Sequence, residues 1–397
     1  MAKKKWMKFR HKVVRTLAYW VIYPYSVLKY GIKVEKFKEQ GKRPYLILFN
    51  HQTAFDQFFV GMAFKGPVYY VASEDLFSMG WVSRLIKYVV APIPIKKQTT
   101  DASAVMNCIR LAREGGTIAM APEGNRTYDG KPVNINPAIA PLAKKLKLPI
   151  ALYRIEGGYG VHPRWSDVVR KGKMRGYVYK VIEPEEYNDM SNEELYTAIK
   201  DGLNVNEVKA DGEYYHKNSA EFLERLVYVC PYCDLSSFVS NGKRIKCQKC
   251  GREIEHLDNK KLDGVGFKFP FKFVGEWYDY QCDFINNLDV SQFNDAPVYT
   301  DEITFYKVNI YKNKEIIGEN IKLSLYGNKI MVGDTVFNFS DVNAITILGK
   351  NKLNIYTDDA LYQIKGDKRF NGIKYMNFYF RYKNLNSEDK DGKFLGL

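Results

Sequence analysis

Cysteine and histidine are scarce, with 6 and 5 in 397 residues, and long apolar runs are missing. The longest stretch free of Asp, Glu, Lys and Arg is Thr16–Leu28, 13 residues. A helix needs about 20 apolar residues to cross a bilayer, so no membrane span is expected, and Pro24 is expected to break this run. No secretory leader is expected either. Lys3, Lys4, Lys5 and Trp6 precede an apolar stretch that Arg15 interrupts, with no small-residue cleavage site after it. Acidic residues are rare at the start: residues 1–50 hold 2 Asp+Glu against 13 Lys+Arg, a balance of +11 within a net charge of +15. The rest of the chain is nearly neutral, so the basicity is a local patch that points to an anionic surface.

Hydrophobic residues at 46% and charged residues at 26% exclude wholesale disorder. The length allows about two to four domains. Tyr19, Trp20, Tyr23, Tyr25 and Tyr30 crowd the first basic stretch. Cationic flanks with aromatics suit a segment lying in a membrane surface. An ordinary first helix packed on its domain, with its lysines solvated, is the alternative.

Strand-like runs at Tyr45–Phe49, Val68–Ala72, Ala91–Ile95, Thr117–Ala121 and Ile150–Ile155 alternate with helix-like stretches from Thr53, at Leu76–Val90, Asp101–Glu114 and Pro137–Leu146. That alternation predicts a layered α/β domain, a central sheet flanked by helices, ending near residue 210. A cysteine-centred unit follows. Short β-rich runs then begin at Ile303, Ile321, Ile330, Val336, Ala344, Leu353 and Leu361, with a helical Phe370–Tyr382 at the end. They predict a small β-rich barrel of the pleckstrin-homology type. The expected segments are 1–35 (basic, aromatic, at a membrane surface), 36–215 (the α/β domain), 225–258 (the cysteine unit) and 298–385 (the barrel). Ser387 onward reads as a loose tail.

Candidate chemistry begins at Asn50-His51, where the first clear strand ends, with Asp56 five residues after the histidine. Such strand ends carry ligand-binding groups in α/β domains. A histidine there can take a proton from an attacking hydroxyl while a carboxylate fixes its tautomer. Alone, the pair is equally a helix cap. A second element, Glu123-Gly124-Asn125-Arg126-Thr127, again follows a buried strand and offers turn amides and a guanidinium that suit a phosphate. Two further elements are Pro94-Ile95-Lys96-Lys97 and Leu148-Pro149-Ile150.

In this order the four elements resemble the glycerolipid acyltransferase superfamily, whose best-known members acylate 1-acylglycerol-3-phosphate. His51 and Asp56 match its N-H-x4-D block, and residues 123–127 match its E-G-T-R-S block, with Asn125 for the usual threonine. The resemblance covers residues 10–210. It implies that His51, oriented by Asp56, deprotonates the free hydroxyl of a lysophospholipid, which attacks an acyl thioester directly. It implies an acyl-CoA or acyl carrier protein donor, and a phosphate held by Arg126 and Lys97 in a pocket shaped by Glu123, Gly124, Asn125 and Thr127. Phosphatidic acid from 1-acyl-sn-glycerol-3-phosphate is the expected product. Lys97 stands where the family has arginine and offers a point charge in place of a fork.

Cys230, Cys233, Cys247 and Cys250 form two C-x2-C knuckles separated by 13 residues. That spacing is expected to hold a structural Zn2+, since four thiolates leave no open position for chemistry. The ribbon's Lys243, Arg244, Lys246, Lys249 and Arg252 suit a nucleic acid or an anionic lipid. Nucleic acid is disfavoured because the charge sits far from the ribbon, at the N-terminus. A second acceptor lipid, or a membrane- or nucleic-acid-binding scaffold without catalysis, remains an alternative. The expected location is the cytoplasmic face of a membrane, peripheral or monotopic. Cys108 and Cys282 read as buried apolar residues. Gly157-Gly158-Tyr159-Gly160 through Trp165 reads as a surface loop shielding the sheet edge, with a lining of the acyl or acceptor cleft as the alternative, and Met79-Gly80-Trp81 reads as core, with contact to a membrane as the alternative.

Overall fold

A computed structural model describes residues 5–95, 101–309 and 313–386. Lys96, Lys97 and the tail from Ser387 lie outside the described residues. The chain divides into two compact units, one reaching Pro163 and including Val169–Gly212, the other comprising Arg164–Val168 and most of the chain from Glu213 on.

The first unit opens with α1 (Phe9–Tyr30) and β1 (Ile32–Val34), then β2 (Leu46–Phe49), α2 (Asp56–Ala63), β3 (Val68–Ser73), α3 (Trp81–Val89) and β4 (Ile93–Ile95). It continues with α4 (Ala102–Arg113), β5 (Thr117–Met120), α5 (Ile139–Leu146), β6 (Ile150–Glu156), α6 (Gly158–Val161), β7 (Met174–Ile182), α7 (Pro184–Asn188) and α8 (Asn192–Leu203). Its seven strands form one sheet in the order β1-β7-β6-β2-β5-β3-β4. Only β6 and β7 run antiparallel; the other neighbours are parallel. The central strands read as continuous apolar runs because helices cover both faces. Leu46, Leu48, Ile118, Ile150 and Leu152 meet Cys108 and Leu111 of α4, Ile139 and Ala143 of α5 and Leu195 and Ile199 of α8 in the core.

The α/β expectation holds. β7 and α8 have no counterpart in it: β7 alternates exposed and buried positions without a pure period, so its pattern is weak. Two further expectations fail. Pro24 does not end α1, which runs on for all 22 residues. Proline removes one backbone donor, and here it sits on the exposed side of the helix, where solvent satisfies the freed carbonyl. Met79 and Trp81 are not core residues; both are exposed, Trp81 at 72%. α1 stops at Gly31, whose φ of 61° is left-handed and whose hydrogens face Gly172 so closely that a Cβ would lie 2.4 Å from its carbonyl oxygen.

In the second unit, β8 (Val229–Cys230) and β9 (Asp234–Leu235) form a hairpin. β10 (Phe238–Asn241), β11 (Arg244–Cys247), β12 (Glu253–His256) and β13 (Leu262–Gly264) form an antiparallel sheet. α9 (Val274–Asn287) packs Trp277 between Phe238 and Phe269 at 5.3 and 5.1 Å. Gln281 Oε1, fully buried, accepts from the amides of Tyr228 and Val229. α9 has no counterpart among the expected elements, because its inward face mixes aromatics with Gln281 and Cys282.

Seven strands follow: β14 (Tyr299–Val308), β15 (Glu315–Leu325), β16 (Lys329–Val332), β17 (Thr335–Asn338), β18 (Ala344–Leu348), β19 (Lys352–Tyr356) and β20 (Leu361–Gly366). They are ordered β17-β16-β15-β14-β20-β19-β18, all antiparallel, and α10 (Ile373–Asn386) closes the unit. This is the expected β-rich half-barrel with its C-terminal helix. The hydroxyl of Tyr299, at the start of β14, donates to the carbonyls of Tyr228 and Ser236.

Candidate active site and cysteine cluster

β5, β2 and β6 are adjacent and parallel, so the loops leaving their C-terminal ends emerge at one edge of the sheet. That edge is where open α/β folds bind ligands. The loop after β2 carries His51, the loop after β5 carries Glu123 and Arg126, and the loop after β6 carries Gly157.

His51 Nδ1 lies 2.7 Å from Asp56 Oδ2. Asp56 is completely buried and also accepts from the amides of Gln52 (2.7 Å) and Thr53 (2.9 Å) and from Thr53 Oγ1 (2.7 Å). The carboxyl thus caps its own loop while it fixes the imidazole. With the Nδ1 proton directed at Asp56, Nε2 carries the ring's lone pair. The His51 side chain is 24% exposed, open enough to meet a substrate.

The loop is held from behind as well. Asn50 Nδ2 donates to the Ile155 carbonyl (2.9 Å) and Asn50 Oδ1 accepts from the Ile155 amide (2.7 Å), extending the β2–β6 ladder by a side chain. Gln52 Oε1 accepts from the Tyr159 amide at 2.9 Å. The glycine-rich segment at 157–161 is therefore not a surface loop. It is buried behind the His51 loop, and at Gly158 a Cβ would fall 2.6 Å from Gln52 Cβ.

Glu123 Oε2 accepts the His51 amide at 3.1 Å, and the Thr127 amide returns a bond to the His51 carbonyl at 3.1 Å. Glu123 is buried. Burial pushes its carboxyl up to about 8; the His51 amide works against this, and the Asp56 charge adds to it. Gly124 turns the chain with φ +68° and its amide donates to Ala121. Asn125 and Arg126 are half-buried on the same turn. Thr127 is buried, and its hydroxyl bonds with Asp129 and the Gly130 amide inside the loop. Leu148–Ile150 lead into β6 at the opposite end of the sheet, in the core, where the Pro149 carbonyl accepts from the Leu46 amide.

Tyr30, the last residue of α1, was expected among the membrane-surface aromatics; it is buried instead, beside the His51 loop. Its buried ring stands 5.0 Å from Phe55, 5.8 Å from Phe59 and 5.9 Å from His162. Burial raises its phenol strongly; the charges of Tyr25 and Asp56 add and Arg126 opposes. α1 thus reaches the electrostatic surroundings of both Asp56 and Arg126. No spacing rule marks a tyrosine at a helix end.

The Acyltransferase family model matches residues 31–155. This stretch, about a third of the chain, is similar to that family. It contains His51, Asp56 and the 123–127 turn. The chain is 23% identical over 138 residues to the 1-acyl-sn-glycerol-3-phosphate acyltransferase of Bacillus subtilis (strain 168), covering 34% of this chain and 65% of that protein. It is 22% identical over 195 residues to the chloroplastic 1-acyl-sn-glycerol-3-phosphate acyltransferase LPAT1 of Arabidopsis thaliana, covering 47% and 52%. The matched part spans less than two thirds of either relative. Among solved structures, the 1-acyl-sn-glycerophosphate (LPA) acyltransferase PlsC from Thermotoga maritima aligns with a TM-score of 0.41 and 22% identity over 50% of this chain and 80% of that one.

Outside the stretch matched by the family model, the sulfurs of Cys230, Cys233, Cys247 and Cys250 all lie within 4.8 Å of one another. Cys230–Cys250 measures 3.8 Å and Cys233–Cys247 3.5 Å. Four thiolates around one ion at about 2.3 Å stand about 3.8 Å apart at tetrahedral angles, so the cluster is sized for a metal. The ribbon's cations have acidic or backbone partners. Lys243 pairs with Asp258, Arg244 with Glu253 and Glu255, and Lys246 with Glu253. Lys249 Nζ donates to the Cys233 carbonyl and Arg252 lies against Cys250.

No described helix is long and apolar enough to cross a membrane. α1 nevertheless turns an apolar row outward. Phe9, Val13, Leu17, Trp20, Val21, Tyr25 and Leu28 are exposed, Trp20 at 72% and Leu28 at 87%.

Proposed function

We propose that the protein transfers a fatty acyl group from a thioester donor, acyl-CoA or acyl carrier protein, to the free hydroxyl of a lysophospholipid at a membrane surface. The favoured acceptor is 1-acyl-sn-glycerol-3-phosphate and the product phosphatidic acid. The observation that carries this reading is the His51–Asp56 pair, 2.7 Å apart and clamped by Glu123 at the C-terminal edge of a parallel sheet. In this mechanism His51 Nε2 takes the proton of the acceptor hydroxyl as its oxygen attacks the acyl carbonyl carbon. The tetrahedral intermediate collapses, the carbon–sulfur bond breaks, and the imidazolium returns the proton to the leaving thiolate. Asp56 holds the tautomer and offsets the imidazolium charge. Arg126, with Lys97, holds the acceptor phosphate; Glu123, Gly124, Asn125 and Thr127 shape the turn that presents Arg126.

The acceptor's lipid nature agrees with the outward apolar row of α1 and the local charge of residues 1–50. Such a helix seats in the headgroup region, and anionic lipid attracts nearby Lys and Arg by about 1 kcal/mol each. The enzyme is proposed to act from the cytoplasmic face as a peripheral or monotopic protein. The cysteine cluster is proposed to hold structural Zn2+. The cross-strand acids beside Arg244 and Lys246 break up any uniformly positive face on the ribbon, which weighs against nucleic acid.

Labelled acyl-CoA supplied with a panel of lysolipids in vesicles tests the reaction. Wild type is expected to acylate the phosphate-bearing acceptor and His51→Ala to lose the activity. Equal incorporation by both proteins refutes the mechanism.

A further inference from the structure

α3 exposes apolar side chains. Its Trp81, Leu85 and Tyr88, spaced i, i+4 and i+7, form one row exposed at 72%, 50% and 60%, with Met79 and Val90 exposed at either end. The hydroxyl-bearing Ser83 is buried instead. Its Oγ donates to the Leu76 carbonyl and accepts the Met79 amide, both at 2.8 Å, which locks the turn that launches the helix. A helix on a water-soluble surface places its apolar stripe inward and its polar residues outward; α3 instead turns an apolar row outward while its one buried side chain is a serine. Arg84 and Lys87 are exposed beside the apolar row, and the helix contains no acidic residue.

α3 is also tied to α1. Arg10 Nε donates to the Tyr88 carbonyl at 2.8 Å, and its guanidinium lies 3.8 Å over the Tyr88 ring. Trp6 Nε1 donates to the Ala91 carbonyl at 2.9 Å, and Glu114 accepts from the amides of Trp6 and Met7. The start of α1 is therefore fastened to the end of α3, and Phe9 of the α1 row lies next in sequence to the arginine that makes the fastening.

We propose that α3 is a second lipid-docking helix, which seats Trp81, Leu85 and Tyr88 in an anionic leaflet together with the α1 row. This rests on the proposed reaction at a membrane surface and names the face that meets it. Charge favours lipid as the occupant. Neither helix carries an Asp or Glu, while Arg10, Lys12, Lys29, Arg84 and Lys87 lie along them. A second copy of the chain would set like charges against one another, whereas an anionic leaflet is complementary along the whole face. Trp and Tyr beside basic residues suit the headgroup boundary.

The test uses the full chain and vesicles of zwitterionic lipid with and without an anionic lipid, the acyl chains brominated to quench inserted tryptophans. Wild type is expected to bind the anionic vesicles, and Trp81→Phe to lose part of the lipid-dependent quenching. Trp81→Ala/Tyr88→Ala is expected to weaken vesicle binding on the order of tenfold, with only a small change in the thermal melt, because both side chains are exposed and Tyr88 gives up its ring contact with Arg10. Arg84→Gln/Lys87→Gln is expected to weaken only the anionic-lipid component. Unaltered quenching in Trp81→Phe, or undiminished binding by the double alanine variant, overturns the proposal. So does a dimer, or a complex with an acyl carrier protein, that the double alanine substitution abolishes while vesicle binding persists. Acyl transfer to a water-soluble short-chain acceptor separates this from the proposed reaction. Its survival in the α3 variants alongside lost vesicle binding supports docking by α3. Its absence in a wild-type protein that still docks through Trp81 refutes the reaction alone.

Discussion

The backbone N–H of His51 donates to Glu123 Oε2 across 3.1 Å, and the carbonyl of the same histidine accepts from the Thr127 amide. The residue that would carry the proton is thus gripped on both sides of its backbone by the turn proposed to present the phosphate-binding arginine. The two sequence elements, about 70 residues apart, form one piece of structure because β2 and β5 are parallel neighbours.

Loss of the base is the most direct prediction. His51→Ala should lower kcat by roughly 10²–10⁴, the range general acid–base catalysis supplies, with only a small loss of thermal stability, because Asp56 keeps its bonds from Gln52 and Thr53. Asp56→Asn should lower kcat similarly and also destabilise the fold, because an amide cannot accept from all the donors that converge on the buried carboxylate. Steady-state kinetics and thermal melts of both variants separate the two effects.

Glu123 gives a pH prediction. Its carboxyl ordinarily titrates near 4.5 and in the folded protein near 8. Between these values the unfolded chain has released the proton that the folded chain keeps. The unfolded state then binds fewer protons, so this group's contribution to stability falls as pH rises through the window. Below 4.5 and above about 8 it is level. Glu123→Gln retains an acceptor for the His51 amide and removes the titration. The stability difference between wild type and variant, from denaturant melts across that window, should shift steadily in the variant's favour with rising pH. A flat difference refutes the assignment.

What the sequence disclosed and what it hid have physical reasons. His51, Asp56 and Glu123 could be singled out only together, because each element alone is a weak signal and it is their order along the chain that resembles a known family; the structure brings the two turns together because their strands are parallel neighbours. The seven strands from β14 to β20 were legible because Gly, Asn and Asp turns punctuate them. The burial of Tyr30 was hidden because it follows from where α1 ends, a tertiary fact with no local code. The burial of Gly158 was hidden for the same reason: glycines suit a surface loop and a close approach to Gln52 equally well. Trp81 was misread because periodicity reports that a helix has an apolar face, and not whether that face points inward. Lys97, paired with Arg126 in the sequence reading, lies outside the described residues.

The cysteine cluster predicts a stoichiometry. Metal analysis of the purified chain should find about one zinc per protein, and Cys247→Ser should reduce it. Because the knuckles sit on the β8–β9 hairpin and at the end of β11, stripping the ion should raise hydrogen exchange in β10, β11 and β12, the strands that carry or flank the cysteines. Amide protection unchanged by a strong chelator, with no zinc in the starting protein, refutes the site.

Arg126 gives the prediction that discriminates among acceptors. If its guanidinium forks onto the acceptor phosphate, Arg126→Lys keeps the charge and loses the paired geometry. KM for a phosphate-monoester lysolipid should then rise by about tenfold with a smaller change in kcat, since an interaction present equally in ground and transition states appears in KM. Arg126→Gln should raise it further. A neutral acceptor alcohol of the same chain length has no phosphate to lose, so its KM should stay level in both variants. The opposite pattern, equal loss for both acceptors, would mean that Arg126 supports the turn instead of reading the headgroup. Half-buried beside the His51 loop and within the electrostatic reach of Tyr30, it is placed for either role, and the neutral acceptor is the control that separates them.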